Sequence, residues 1–247
     1  MLRAALNYPS SRTAGSRAVV LGGVSYLLLS LALLIGSYAS SIQEIDTSTA
    51  VSELGSSGQL GVLVVLVLGQ LLVYLLTRGY FVAVLGRLLA GESTPPAFSP
   101  AMFLDGAKVT LITLAYLLPG TVAIVVAVTL RSEQPASSVG AFTNAVGSML
   151  VLCGLFWTLI AIYLLPAALA LFAHTDSMNR AFAWRVLVKC VTTEDYAVGR
   201  IGGAFVRLCL FPVALVLQLL FVGFFLRFHV HVSGYYLYGR AIAVTLE

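Results

Sequence analysis

The sequence predicts an all-α fold, a polytopic transmembrane bundle of about six spanning helices with both termini cytoplasmic. Three observations carry that expectation. Hydrophobic residues make up 60% of the chain and charged residues only 10%, where a soluble domain carries roughly a quarter. The apolar residues run in stretches as long as the ~20 residues needed to cross about 30 Å of hydrocarbon. The charges mostly sit in the gaps between those stretches. Almost everything after residue 17 is consumed in this way, so residues 1–247 read as a single integral-membrane domain with no separate soluble unit.

The first span is expected over about 18–39. Arg3, Arg12 and Arg17 precede it, and Ser37 and Ala39 offer a small-x-small site, so it imitates a secretory leader. Its apolar run from Val19 to Ile35 exceeds the usual length of about 7–15 residues, which favours an uncleaved span. A polar, acidic loop is expected over 40–59, then a second span over about 60–82 whose last turns emerge with Arg78 and Arg87 at the headgroups. Gly91 to Pro96 is a breaker cluster. Ser99 followed by Pro100 reads as an N-cap with proline at the first helical position. That helix should open at the interface, carry Asp105 and Lys108 on one face, and cross the bilayer over about 109–130.

After a short polar turn the fourth span is expected over about 143–173. Within the long break at 174–200, residues 178–190 read as one short interfacial helix. Thr192 or Thr193 followed by Glu194 and Asp195 is a helix start, because acidic groups favour the positive end of the helix dipole. The remainder fits two spans, about 196–221 and 224–245, joined by a tight hairpin near Gly223. A single span with a surface tail is the alternative.

Orientation follows from the loops, since Lys and Arg accumulate on the cytoplasmic side. Arg3, Arg12 and Arg17 lie in the N-terminal segment. Arg78, Arg87 and Lys108 fall in the 78–108 connection, Arg180, Arg185, Lys189, Arg200 and Arg207 in the 174–207 region, and Arg240 on the same side. Loop 40–59 carries Glu44, Asp46 and Glu53 without a basic residue. Arg131 and Arg227 are assigned to the opposite face. The net charge of +4 is dispersed rather than gathered in a stripe, which argues against nucleic acid and for topology and anionic-lipid contacts.

Reactive constellations are missing. The sequence has no HExxH, no Walker-type glycine loop and no G-x-S-x-G elbow, so no catalytic, cofactor or metal residue is assigned and no enzyme is expected. Cys153, Cys190 and Cys209 lack ligand-like spacing. His229 and His231 stand two apart and point to different sides of a helix; an interfacial position at the outer face is expected for them. Gln70 and Gln218 are candidates for an interhelical hydrogen bond, typically worth about 1 kcal/mol. Pro119, Pro166 and Pro212 fall inside predicted spans, two of them in a repeated Tyr-Leu-Leu-Pro, and mark kinks or hinges.

Several landmarks coincide with one family. They are Ala4-Ala5-Leu6-Asn7-Tyr8-Pro9, Gly79-Tyr80, Leu89-Ala90-Gly91-Glu92 and Pro96-Ala97-Phe98. Asp105-Gly106-Ala107-Lys108, the Tyr163 to Leu169 stretch with Phe172-Ala173, and Tyr236-Leu237-Tyr238-Gly239-Arg240-Ala241 complete the set. In their order and spacing the chain resembles an archaeal, mostly haloarchaeal, membrane family known as domain of unknown function 4013. Ala83 and Gly86 depart from it, standing where the family usually has arginines. The resemblance implies a polytopic protein of the cell membrane and adds no activity. The functional expectation is therefore a non-enzymatic protein acting through association, its partners the lipid bilayer and a second copy or another membrane protein. The alternative is a small transporter or channel for an uncharged or lipid-like solute.

Overall fold

The computed structural model describes residues 1–43, 52–130 and 137–246. Among them every regular element is helical. A short α1 (Leu2–Asn7) leads through a 3-10 turn, Tyr8–Ser10, into α2 (Arg12–Gln43). Then come α3 (Ser52–Leu89), α4 (Ala101–Thr129) and α5 (Ser138–Thr175). Two short helices follow, α6 (Met178–Ala181) and α7 (Trp184–Val191), before α8 (Glu194–Leu217) and α9 (Val222–Leu246).

Among the described residues, four helical segments are long and apolar enough to cross a membrane: Val67–Leu89, Ala101–Thr129, Ser138–Thr175 and Glu194–Leu220. Their outward side chains form an apolar belt. Leu208 is 75% exposed, Ile201 71% and Leu219 83%. A water-soluble monomer rarely carries so wide an apolar patch, and lipid is the solvent that accepts it. Inside such a solvent every backbone group must be satisfied by the helix itself.

The capping chemistry is legible at several ends. Ser137 accepts from the Gly140 amide at 2.9 Å and opens α5. Thr193 accepts from Tyr196 at 3.4 Å and opens α8 ahead of Glu194 and Asp195. At α4 the boundary shifts by one residue: Pro100 already has helical backbone angles and occupies the cap, while the Ser99 carbonyl accepts from Met102. The expected hairpin between the last two helices is present. Phe221 turns the chain with φ of 60°, and Gly223 lets the helices close, since a Cβ there would stand 2.1 Å from the Ala214 carbonyl oxygen.

Two expectations need correction. Residues 40–43 and 52–59 are helical, the ends of α2 and α3, so the polar loop is shorter than 40–59; residues 44–51, with Glu44 and Asp46, lie outside the described residues. The single helix expected at 178–190 is two. The Tyr116 hydroxyl donates to the Ala181 carbonyl at 2.6 Å and Phe182 stacks on the Tyr116 ring. The backbone leaves helical geometry at Ala183. The buried side of α7 holds Leu187, Cys190 and Val191, with Arg185 and Lys189 outward. Burial pushes the Cys190 thiol above its ordinary range.

The bundle is organised around α9, which packs against α1, α2, α3, α5 and α8. Its Phe228, Val232, Tyr235, Tyr238 and Ile242 join Tyr80, Phe81 and Leu85 of α3 in the main core. Close backbone approach fixes the α3–α4 crossing. A Cβ on Gly79 would lie 1.7 Å from the Met102 carbonyl oxygen, and one on Gly106 would lie 1.8 Å from that of Leu75.

Candidate functional site: an arginine-lined cavity in the bundle

Three helices place cations on one interior space. Arg227, His231 and Tyr235 recur every fourth residue along α9 and therefore share a face. Tyr74, Thr77, Arg78 and Phe81 come from α3, Arg207 from α8 and Tyr26 from α2. Together with Val73 they line a cavity of about 390 Å³. Phe81, Thr77 and Tyr235 in its wall are buried.

Each guanidinium rests on aromatic rings. Arg78 lies 5.1 Å from the Tyr74 ring centre. Arg207 lies 5.6 Å from that of Tyr235 and 5.2 Å from that of Tyr238. Arg227 lies 5.0 Å from Tyr26 and 5.4 Å from Phe211. His231 stacks on Tyr26 with ring centres 6.0 Å apart and is flanked by Phe81 at 5.9 Å. Gly234 makes room for Arg207, whose Nε is 3.0 Å from where a Cβ would stand.

The electrostatics are one-sided. Among the described residues, no aspartate or glutamate lines the cavity. The Nε atoms of Arg207 and Arg227 are buried with no hydrogen-bond partner among the described residues. The Thr77 hydroxyl is already committed, donating to the Val73 carbonyl at 2.6 Å. The space is rich in donors and poor in acceptors.

Next to it runs an apolar groove of about 810 Å³ between α5 and α8, floored by α9. Leu159 and Ile162 form one wall, Ile201, Ala204 and Leu208 the other, and Arg207 and His231 belong to both groove and cavity. At the end nearer Glu194, Arg200 donates to the Tyr238 hydroxyl at 3.0 Å and to the Ile162 carbonyl at 2.6 Å. That carbonyl is the one Pro166 leaves without its helical donor. The Tyr196 hydroxyl donates to the neighbouring Tyr163 carbonyl.

The sequence places Arg78 and Arg207 on the opposite face from Arg227; the structure brings all three together. It also moves the histidines. His231 enters the cavity, while the His229 ring bonds the Leu6 carbonyl at 2.8 Å, so neither sits free at an outer interface. Gln70 and Gln218 do not pair, the Gln218 amide nitrogen being buried without a partner. Pro119 faces outward, and the polar cavity is not beside it. The missed signal was the position of three arginines within apolar runs rather than at their ends.

The remaining charges form small surface sets. Arg87 pairs with Glu92 at 3.3 Å. Lys108 pairs with Asp176 at 3.1 Å and Asp105 at 3.6 Å. Exposed pairs of this kind contribute little to stability, because water screens them. Nearby, Tyr8 packs on Tyr236 with ring centres 4.7 Å apart, and Tyr80 stacks on Phe98 at 4.5 Å. Burial raises the Tyr8 phenol above its ordinary pKa despite Arg87. These contacts join the motifs at 4–9, 79–80, 96–98 and 236–241.

No curated protein and no solved structure matches the chain. Residues 62–228 match a family model described as a protein of unknown function, DUF4013; that stretch is more than half of the sequence and includes all three cavity arginines, and the chain belongs to this family.

Proposed function

We propose that this protein binds an oxyanion inside the bilayer, in the cavity of Arg78, Arg207, Arg227 and His231. The observation that carries the reading is the convergence of three guanidiniums on a space to which the described residues bring no carboxylate. An arginine at the centre of a spanning helix costs about 2.5–3.5 kcal/mol. Each cation–π contact offsets about 0.5–2 kcal/mol. The rings solvate each cation separately, but they leave the mutual repulsion of like charges in place. A bound anion turns that repulsion into attraction. The planar, multi-donor guanidinium favours oxygen-rich anions that accept two hydrogen bonds at once.

This is a binding or carrier role without catalysis, in the cell membrane. It keeps the transporter alternative, expected for an uncharged or lipid-like solute, and makes that solute an anion. The topology that accompanies it counts α2 and α9 with the four apolar segments, giving six crossings and cytoplasmic termini. Association with a second copy or another membrane protein rests on the apolar belt, which lipid covers equally well. The cavity is the more specific feature.

The test is the unfolding midpoint in a neutral maltoside detergent, titrated with phosphate, pyrophosphate and sulfate against chloride at matched ionic strength. A saturable rise with at least one oxyanion is expected, equivalent to about 2.7 kcal/mol at a hundred times Kd. Arg207→Gln/Arg227→Gln should abolish the rise. Without oxyanion the same variant should unfold no earlier than the wild type, because it lacks two half-buried charges whose Nε atoms have no partner among the described residues. A wild-type midpoint indifferent to all three anions would overturn the proposal.

A further inference from the structure

We infer that the oxyanion is the headgroup of an anionic lipid, which enters sideways from the bilayer through the α5–α8 groove. The inference rests on the cavity binding an anion and adds the source and the route. A cavity built for a soluble ion needs a path to water. Here the neighbouring opening is an apolar slot on the lipid-facing surface, with Leu159, Ile162, Ile201 and Leu208 exposed along it.

The slot is not apolar throughout. Arg200 and Arg207 stand two turns apart on the same side of α8, about 10 Å along its axis. Tyr238 on the floor serves both, its ring centre 5.2 Å from each guanidinium carbon. Arg200 lies about 9 Å from the Glu194 end of α8 and Arg207 about 20 Å from it. An amphiphile with its phosphate travelling from Arg200 to Arg207 can keep its acyl chains against the leucine and isoleucine walls. Arg207 then passes the headgroup to the cavity that it shares with His231, Arg78 and Arg227. Ala197 and Ala204 keep this side of α8 low, leaving the groove open for a chain. Charge and shape agree on one occupant: a negative head and an oily tail, side by side.

Native mass spectrometry of the detergent-solubilised protein distinguishes the sources. Dioleoyl phosphatidylglycerol supplies head and tails, glycerol 3-phosphate the head alone, and dioleoyl phosphatidylcholine tails with a zwitterionic head. Phosphatidylglycerol should be retained at least tenfold more tightly than either. Ala204→Trp fills the groove from an exposed, lipid-facing position without altering any cation. It should weaken phosphatidylglycerol at least tenfold and leave the pyrophosphate-induced rise in unfolding midpoint intact, which also shows that the variant is folded. Equal retention of glycerol 3-phosphate and phosphatidylglycerol overturns lateral entry while the oxyanion cavity stands. So does an Ala204→Trp variant that holds phosphatidylglycerol as the wild type does. Loss of every anion response in the wild type overturns both.

Discussion

At Ile162 one residue's defect is another's anchor. Pro166 cannot donate the amide that would normally close on the Ile162 carbonyl, and Arg200 fills that role from a different helix at 2.6 Å. This gives the proline a structural reason independent of any hinge. Arg200→Met should destabilise the protein by about 1–2 kcal/mol, the cost of a hydrogen bond to a charged group left unmade. Pro166→Ala restores an amide donor, so it should cost less in the Arg200→Met background than in the wild type. Strictly additive changes in denaturation free energy across this double-mutant cycle would show that the two residues act separately. Nothing in the sequence announces such a pairing. The proline was legible as a backbone defect, but its partner stands 34 positions further along and is fixed only by how α5 and α8 are juxtaposed.

Among the elements, the long apolar helices and most of their ends were readable, because length, apolar content and cap residues are local quantities. The Phe221–Gly223 turn and the Thr193 cap are two instances. What failed depended on distant contacts. The break between α6 and α7 is made by a tyrosine from α4, which no local pattern at 178–190 contains. The inward turn of the half-buried Arg78, Arg207 and Arg227 is not legible locally, because an arginine in an apolar run looks the same whether it snorkels to an interface or turns inward. Helix crossings follow the same division. Gly106 stands in contact with the α3 backbone, whereas a Cβ on Gly69 would meet nothing within 4 Å. Gly106→Ala should therefore cost more than about 3 kcal/mol, since backbone cannot step aside. Gly69→Ala should stay within about 1 kcal/mol of the wild type. Midpoints from fluorescence-detected size-exclusion after heating would separate these outcomes.

For the whole molecule, the distribution of charge sets the frame in which the cavity is read. Lys189 is exposed on α7, next to the basic loops assigned to the cytoplasm. In a background with Cys153, Cys190 and Cys209 replaced by serine, Lys189→Cys should react with a membrane-impermeant maleimide only after the cells are opened. Labelling of intact cells would invert the proposed topology and place the Arg200 end of the groove in the outer leaflet. The order of helices along the chain has a consequence of its own. The helix around which the others gather, α9, leaves the ribosome after α3 and α8 have done so. Until it arrives, Arg78 lacks Tyr235 beside it and Arg207 lacks the Tyr235 and Tyr238 rings. A nascent polypeptide halted before residue 222 would present the Arg207 guanidinium to hydrocarbon without its rings, and membrane quality-control proteases should clear it faster than the finished product.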